Sequence, residues 1–137
     1  MRLTAREPTE VEFKEAMANK PVYKVVRVKG KKLKSLWVDG TKKKPMLIEH
    51  DIVAFALTYA EGKLSDNGRY GIWCCKTLAK AVLQSHTNGR GKRTAIFKAY
   101  PIGEPIQPPL GWGWDAVLYP AIILGERVVE KYIKEVK

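Results

Sequence analysis

Apolar and polar positions change period several times along this chain, and each change marks a predicted element. Thr9-Glu10-Val11-Glu12 has the spacing of a capping box, so a short helix is expected from about Glu10 to Ala18. Phe13, Ala16 and Met17, at i, i+3 and i+4, give it one apolar stripe, and Lys20-Pro21 stops it. From Val22 to Val28 and from Leu33 to Val38 the β-branched and aromatic residues read as strands joined by Lys29-Gly30-Lys31-Lys32, a hairpin. Asp39-Gly40-Thr41 supplies turn chemistry, and Lys42-Lys43-Lys44-Pro45 an exposed basic corner. Ile52 to Tyr59 is a further strand candidate, although Ala54, Phe55, Ala56 and Leu57 leave a helical reading open because so short an apolar run has no decisive period.

Asp66-Asn67-Gly68 marks a turn and Tyr70 to Cys75 a buried strand. Thr77 can cap a helix through about Ser85, with Leu78, Ala81, Val82 and Ser85 on its inner side and Asn88-Gly89 ending it. Thr94 to Tyr100 is another strand. The stretch Pro101 to Asp115 holds four prolines and three glycines and reads as a long surface loop. Val117 to Leu124 reads as one strand, while Arg127 to Val136 fits a helix face yet favours a strand by its β-branched content. These elements predict one α+β domain over residues 1–137: a mostly antiparallel, twisted sheet, two short helices packed on it, and a Pro/Gly loop at one rim.

Charge sharpens this picture more than composition does. Residues Lys20 to Lys44 hold ten Lys/Arg against one acid, Asp39, so the hairpin and its basic corner carry +9 of the chain's net +11. The loop residues Arg90, Lys92 and Arg93 add +3, and the remainder nets to −1. Clustered cations raise the local potential and attract polyanions far more than dispersed ones. The candidate phosphate contacts are therefore Lys31, Lys32, Lys34, Lys42, Lys43, Lys44, Arg90, Lys92 and Arg93, with Tyr23, Trp37 or Trp112 to stack on bases. Lys outnumbers Arg and offers a point charge without the guanidinium fork, so binding of DNA or RNA is expected to be largely indifferent to sequence. The competing reading is a solvated strand whose lysines guard a sheet edge. The binding reading requires the hairpin and the Arg90 to Arg93 loop to share one face. Trp112 and Trp114, in Gly111-Trp112-Gly113-Trp114-Asp115, are the candidates for anchoring a protein partner or a second copy of the chain, or else they cap the core.

Other chemistry is thin. Asn88-Gly89-Arg90-Gly91-Lys92-Arg93-Thr94 resembles a phosphate loop only in composition: a Walker motif needs Gly where His86 stands and Ser/Thr where Arg93 stands. Glu49-His50-Asp51 gathers acid–base groups, but adjacent residues rarely converge on one point. With His86 the only other histidine, no metal-ligand spacing is present, and neither a metal nor a cofactor is expected. No motif compels a reaction, so catalysis is not the leading expectation. Cys74 and Cys75, adjacent and alone, offer no disulfide framework and read as small core residues. The longest apolar stretch, Ala116 to Leu124, is nine residues, well short of the roughly 20 that span a bilayer, and Met1 to Pro8 lacks the apolar run of a signal peptide. An intracellular protein without a membrane partner is expected. With 45% hydrophobic and 28% charged residues the chain has the makings of an ordinary packed core.

Two resemblances add expectations. With Lys-rich segments such as Lys29 to Lys34 and Lys42 to Lys44, and only two Gln and three Asn, the chain is similar to the short proteins of viruses that infect hyperthermophilic archaea, of the Pyrobaculum spherical virus type. That resemblance implies a viral protein in the host cytoplasm or the virion, with no activity to carry over to any residue. The order of strand Val22 to Val28, then Gly71-Ile72-Trp73, then the helix around Ala79 and Ala81 resembles the core of small ADP-ribosyltransferase-like domains. It implies a catalytic Glu, for which Glu126 or Glu130 would stand, although no His-x-Thr or Arg-Ser-Glu pattern is present.

Overall fold

The computed structural model describes residues 2–3, 5–35, 46–48, 52–54, 56–66, 71–87, 93–106 and 116–129. In chain order they form β1 (Arg2–Leu3), α1 (Glu10–Met17), β2 (Val22–Lys29), β3 (Lys32–Lys34), β4 (Met46–Ile48), β5 (Ile52–Ala54), β6 (Ala56–Tyr59), β7 (Leu64–Asp66), β8 (Ile72–Cys75), α2 (Leu78–Thr87), β9 (Thr94–Ile102), β10 (Ala116–Tyr119) and β11 (Ala121–Arg127). The main sheet runs β1-β6-β3-β2-β9-β11-β7 and is antiparallel except where β1 lies parallel to β6. It curls into a near-barrel: β6 and β7 come together at its ends, where the Ser65 hydroxyl donates to the Thr58 carbonyl at 3.0 Å. A ribbon of β8 and β10 joins this sheet through the single pair Tyr23–Cys75, and β4 pairs β5 apart from it.

Local chemistry explains the elements that frame the charged region. Thr9 and Glu12 form the expected capping box, with the Glu12 amide donating to Thr9 Oγ1 at 3.2 Å and the Thr9 amide donating to Glu12 Oε1 at 2.8 Å. At the helix end Asn19 Nδ2 donates to the Pro101 carbonyl at 2.9 Å and ties α1 to β9. In the β2–β3 hairpin, Lys29 pairs Lys32 across the two-residue turn Gly30-Lys31. Gly30 sits at φ 63°, in the left-handed region that a residue without a Cβ enters at little cost.

Period-two alternation then sorts the side chains into layers. Val22, Val26, Phe97, Ala99, Ile122 and Leu124 point into the barrel, where Ile72 and Cys74 of β8 and Val117 of β10 meet them. On the opposite face of β2 and β9, Val25 and Ile96 pack under Ala81 and Val82 of α2, with Cys75 and Val128. Ala16 of α1 covers a third cluster of Leu64, Ala121 and Ile123. The predicted fold class, a mostly antiparallel sheet with two helices packed on it in one domain, is the one observed.

The segment boundaries need correction in several places. Val117 to Leu124 is two strands, not one, because the chain leaves β10 at Tyr119, passes Pro120 and enters β11 with different partners. Pro101 and Ile102 belong to β9, and Ile106 bridges Leu118, so the start of the expected loop is sheet. Asp66 ends a strand that the turn reading overlooked. Ile52–Ala54 and Ala56–Tyr59 are strands, β5 and β6, not helix. Of the α1 stripe only Ala16 is buried; Phe13 and Met17 remain 49% and 40% exposed.

Candidate nucleic-acid interface

The register of β2 against its neighbours builds the charged surface. On one side Arg27 pairs Lys34 of β3, and on the other it pairs Thr94 of β9. The next step of that ladder is the Val28 amide donating to the Arg93 carbonyl at 2.7 Å, which sets Arg93 directly beside the hairpin. Hairpin and Arg93 thus share one end of the sheet. Lys29, Lys31, Lys32 and Arg93 are exposed there, and among the described residues no carboxylate lies within ion-pair distance of any of them.

Lys34 stands apart from its neighbours in the predicted phosphate set. It is only 6% exposed, packed on the sheet opposite Arg27, so its ammonium is not part of the solvent-facing cluster. A side chain turned into a sheet surface exchanges solvent for neighbours, whatever its charge. Lys42, Lys43, Lys44, Arg90, Lys92, Trp37, Trp112 and Trp114 lie outside the described residues, as do Glu49, His50, Asp51 and Glu130.

Strand parity put another cation somewhere the sequence reading did not place it. Lys24 lies between Val22 and Val26 on the inward face of β2, fully buried inside the barrel. Its Nζ donates to the Trp73 carbonyl at 2.7 Å and stands 5.5 Å from the centre of the Tyr59 ring. Burial lowers its pKa, with the thiols of Cys74 and Cys75 only partly opposing the shift. Burial likewise raises Tyr59, whose hydroxyl has only the nearby Ser35 to offset it, and pushes Cys74 up to about 12. Cys74 is therefore a protonated thiol at neutral pH, a packing group and not a nucleophile. The signal was present in the alternation Val22, Lys24, Val26, Val28, which sets Lys24 in line with three valines.

Among the described residues the acidic and imidazole candidates do not converge. Glu126 is exposed at the end of β11 and pairs with Lys98 at 3.2 Å, and His86 is exposed near the end of α2. Among the described residues no three His, Cys, Asp or Glu side chains come close enough to hold a metal ion, and no helix is long and apolar enough to cross a membrane.

No protein-family model, curated protein or solved structure matches this chain.

Proposed function

We propose that this protein binds nucleic acid without sequence preference, its hairpin end acting as an electrostatic surface for the phosphate backbone. The observation that carries the reading is the set Lys29, Lys31, Lys32 and Arg93: exposed cations of the β2–β3 hairpin and of the residue that leads into β9, brought to one end of the sheet and, among the described residues, lacking carboxylate partners. A polyanion releases its condensed counterions when such a cluster replaces them, so affinity should be high at low salt and fall steeply as salt rises. Lysine predominates, which fits contacts to phosphate better than readout of base edges.

The test is fluorescence anisotropy with short DNA and RNA oligonucleotides across a salt series. Binding whose log–log slope against salt falls by about 3 to 4 when Lys29, Lys31, Lys32 and Arg93 are changed to Ala supports the reading. Absence of binding at about 50 mM salt, or a slope untouched by the four changes, refutes it.

A further inference from the structure

We propose that the hairpin's cations lead a single strand of nucleic acid to the cavity beside the C-terminal half of α2, and that this cavity holds one of its bases. The inference rests on the nucleic-acid reading above and adds a substrate class to it: single-stranded, base-bearing chains in preference to duplex.

The cavity measures about 570 Å³ and lies between Ser85 of α2, Thr94 and Ile96 at the start of β9, and Arg127, Val128 and Val129 where the chain leaves β11. That volume falls within the usual range for small-ligand sites, roughly 300–1,000 Å³, and exceeds what a single base requires. Its walls are mixed in the manner a base needs. Ile96 and Val128 are buried and Val129 is 52% exposed, giving apolar surface for the ring faces. Thr94 presents a hydroxyl for a ring-edge nitrogen or oxygen, Ser85, whose hydroxyl donates to the Val82 carbonyl at 2.8 Å, can accept from a ring-edge N–H, and Arg127 brings a guanidinium plane of the kind that stacks on aromatic rings. No carboxylate stands among the described lining residues to repel a nucleotide.

Position connects this cavity to the charged end of the sheet. Thr94, on its wall, follows Arg93 in the chain and pairs Arg27, which in turn pairs Lys34. Directly opposed residues of an antiparallel ladder project from the same face, so Lys34, Arg27 and Thr94 form one row about 10 Å long across two strand spacings. Lys29, two residues beyond Arg27 on β2, and its partner Lys32 project from that same face, so a phosphate held by them has its own or the adjacent base within reach of the cavity. In a duplex the bases are stacked and paired, and the cavity would stay empty unless one were flipped out at a cost. A single strand has no such cost, and a charged track combined with a site for a ring face is the usual arrangement for binding it.

The experiment compares three ligands of equal length on the whole protein: a single-stranded oligonucleotide, the same strand with abasic sites throughout, and a duplex. The cavity is filled by Ser85→Leu and Thr94→Leu, and its guanidinium is removed separately by Arg127→Gln, an exposed position that spares the fold if the filled variants unfold. Wild type is expected to favour the base-bearing single strand over the abasic one by roughly 5- to 150-fold, the range found for one stacked base. Filling the cavity should abolish that margin and leave the salt slope as it was; Arg127→Gln should reduce it severalfold. Equal binding of base-bearing and abasic strands, a margin that survives both kinds of variant, or tighter binding of duplex overturns the inference while an intact salt slope keeps the nucleic-acid reading. Failure to bind any of the three at low salt removes both.

Discussion

Around α1 and β7 the protein's cations meet carboxylates; among the described residues at the hairpin end, Lys29, Lys31, Lys32 and Arg93 do not. Arg6 pairs Glu12 at 2.7 Å, Lys14 pairs Glu10 at 3.3 Å, and Lys63 pairs Glu7. Lys29, Lys31, Lys32 and Arg93 have no such partners among the described residues. Paired charges cancel within a few ångströms, whereas unpaired ones sum into a potential that a polyanion can feel at a distance. What distinguishes them is compensation, and that depends on which strands the fold brings side by side.

The sharpest way to break this comparison is to remove charge from each region in turn. Changing Lys29, Lys31, Lys32 and Arg93 to Ala should weaken oligonucleotide binding by about a thousandfold at ~0.1 M salt, roughly five- to eightfold per lost phosphate contact. Changing Arg6 and Lys63 to Ala should alter it by less than about threefold, because those cations are already neutralised by neighbours. Equal losses, read by anisotropy in one buffer, would mean that only total charge counts.

Lys24 supplies a third arrangement, a cation with neither solvent nor, among the described residues, a carboxylate. Lys24→Met should stabilise the protein by ~1–3 kcal/mol in urea unfolding at neutral pH, since an apolar chain of similar length fits the barrel without the burial penalty. The sign with pH follows from the lowered native pKa. Between that value and about 10.4 the unfolded chain binds the proton that the native state gives up, so raising the pH relieves the wild-type penalty. The advantage of Met over Lys should shrink toward zero as pH approaches about 10.4. An advantage that stays constant with pH would show that Lys24 is not the group responsible.

Smaller effects are expected on the paired side. Thr9→Ala removes the cap of α1 and should cost about 1 kcal/mol by the same unfolding measurement, with no change in oligonucleotide binding. Glu12 is held at about 2 by the Arg6 guanidinium and by the Thr9 amide. A depressed carboxylate contributes stability that is complete above its unfolded value of about 4.3 and is lost as pH falls through the native one. Glu12→Gln should therefore lower the thermal midpoint slightly at pH 6 and not at all near pH 2; a difference that persists at pH 2 would assign the effect to packing.

Much of the secondary structure was legible because it rests on local rules. The capping box at Thr9 and Glu12, the Gly30 turn and the helix beginning after Thr77 each use residues only a few positions apart. The places that misled are those where contacts distant in sequence decide. Pro120 could have continued an irregular edge strand, but different partners for β10 and β11 make it a break. Phe13 and Met17 have the right spacing for a buried stripe, yet α1 meets the sheet through Ala16, small enough for close approach.

The candidate surface divides in the same way. Local composition located the cluster of lysines, and the alternation of Val22, Val26 and Val28 held the information that Lys24 turns inward. No local pattern told that Lys34 would be buried or that Arg93 would dock beside Val28, because both follow from the pairing of β2 with β3 and β9. The periods, the turns and the amount of positive charge depend only on neighbours along the chain and were legible there. Strand register and helix docking, which set distances between residues far apart in sequence, decided which cations face solvent together and that a cavity opens beside them.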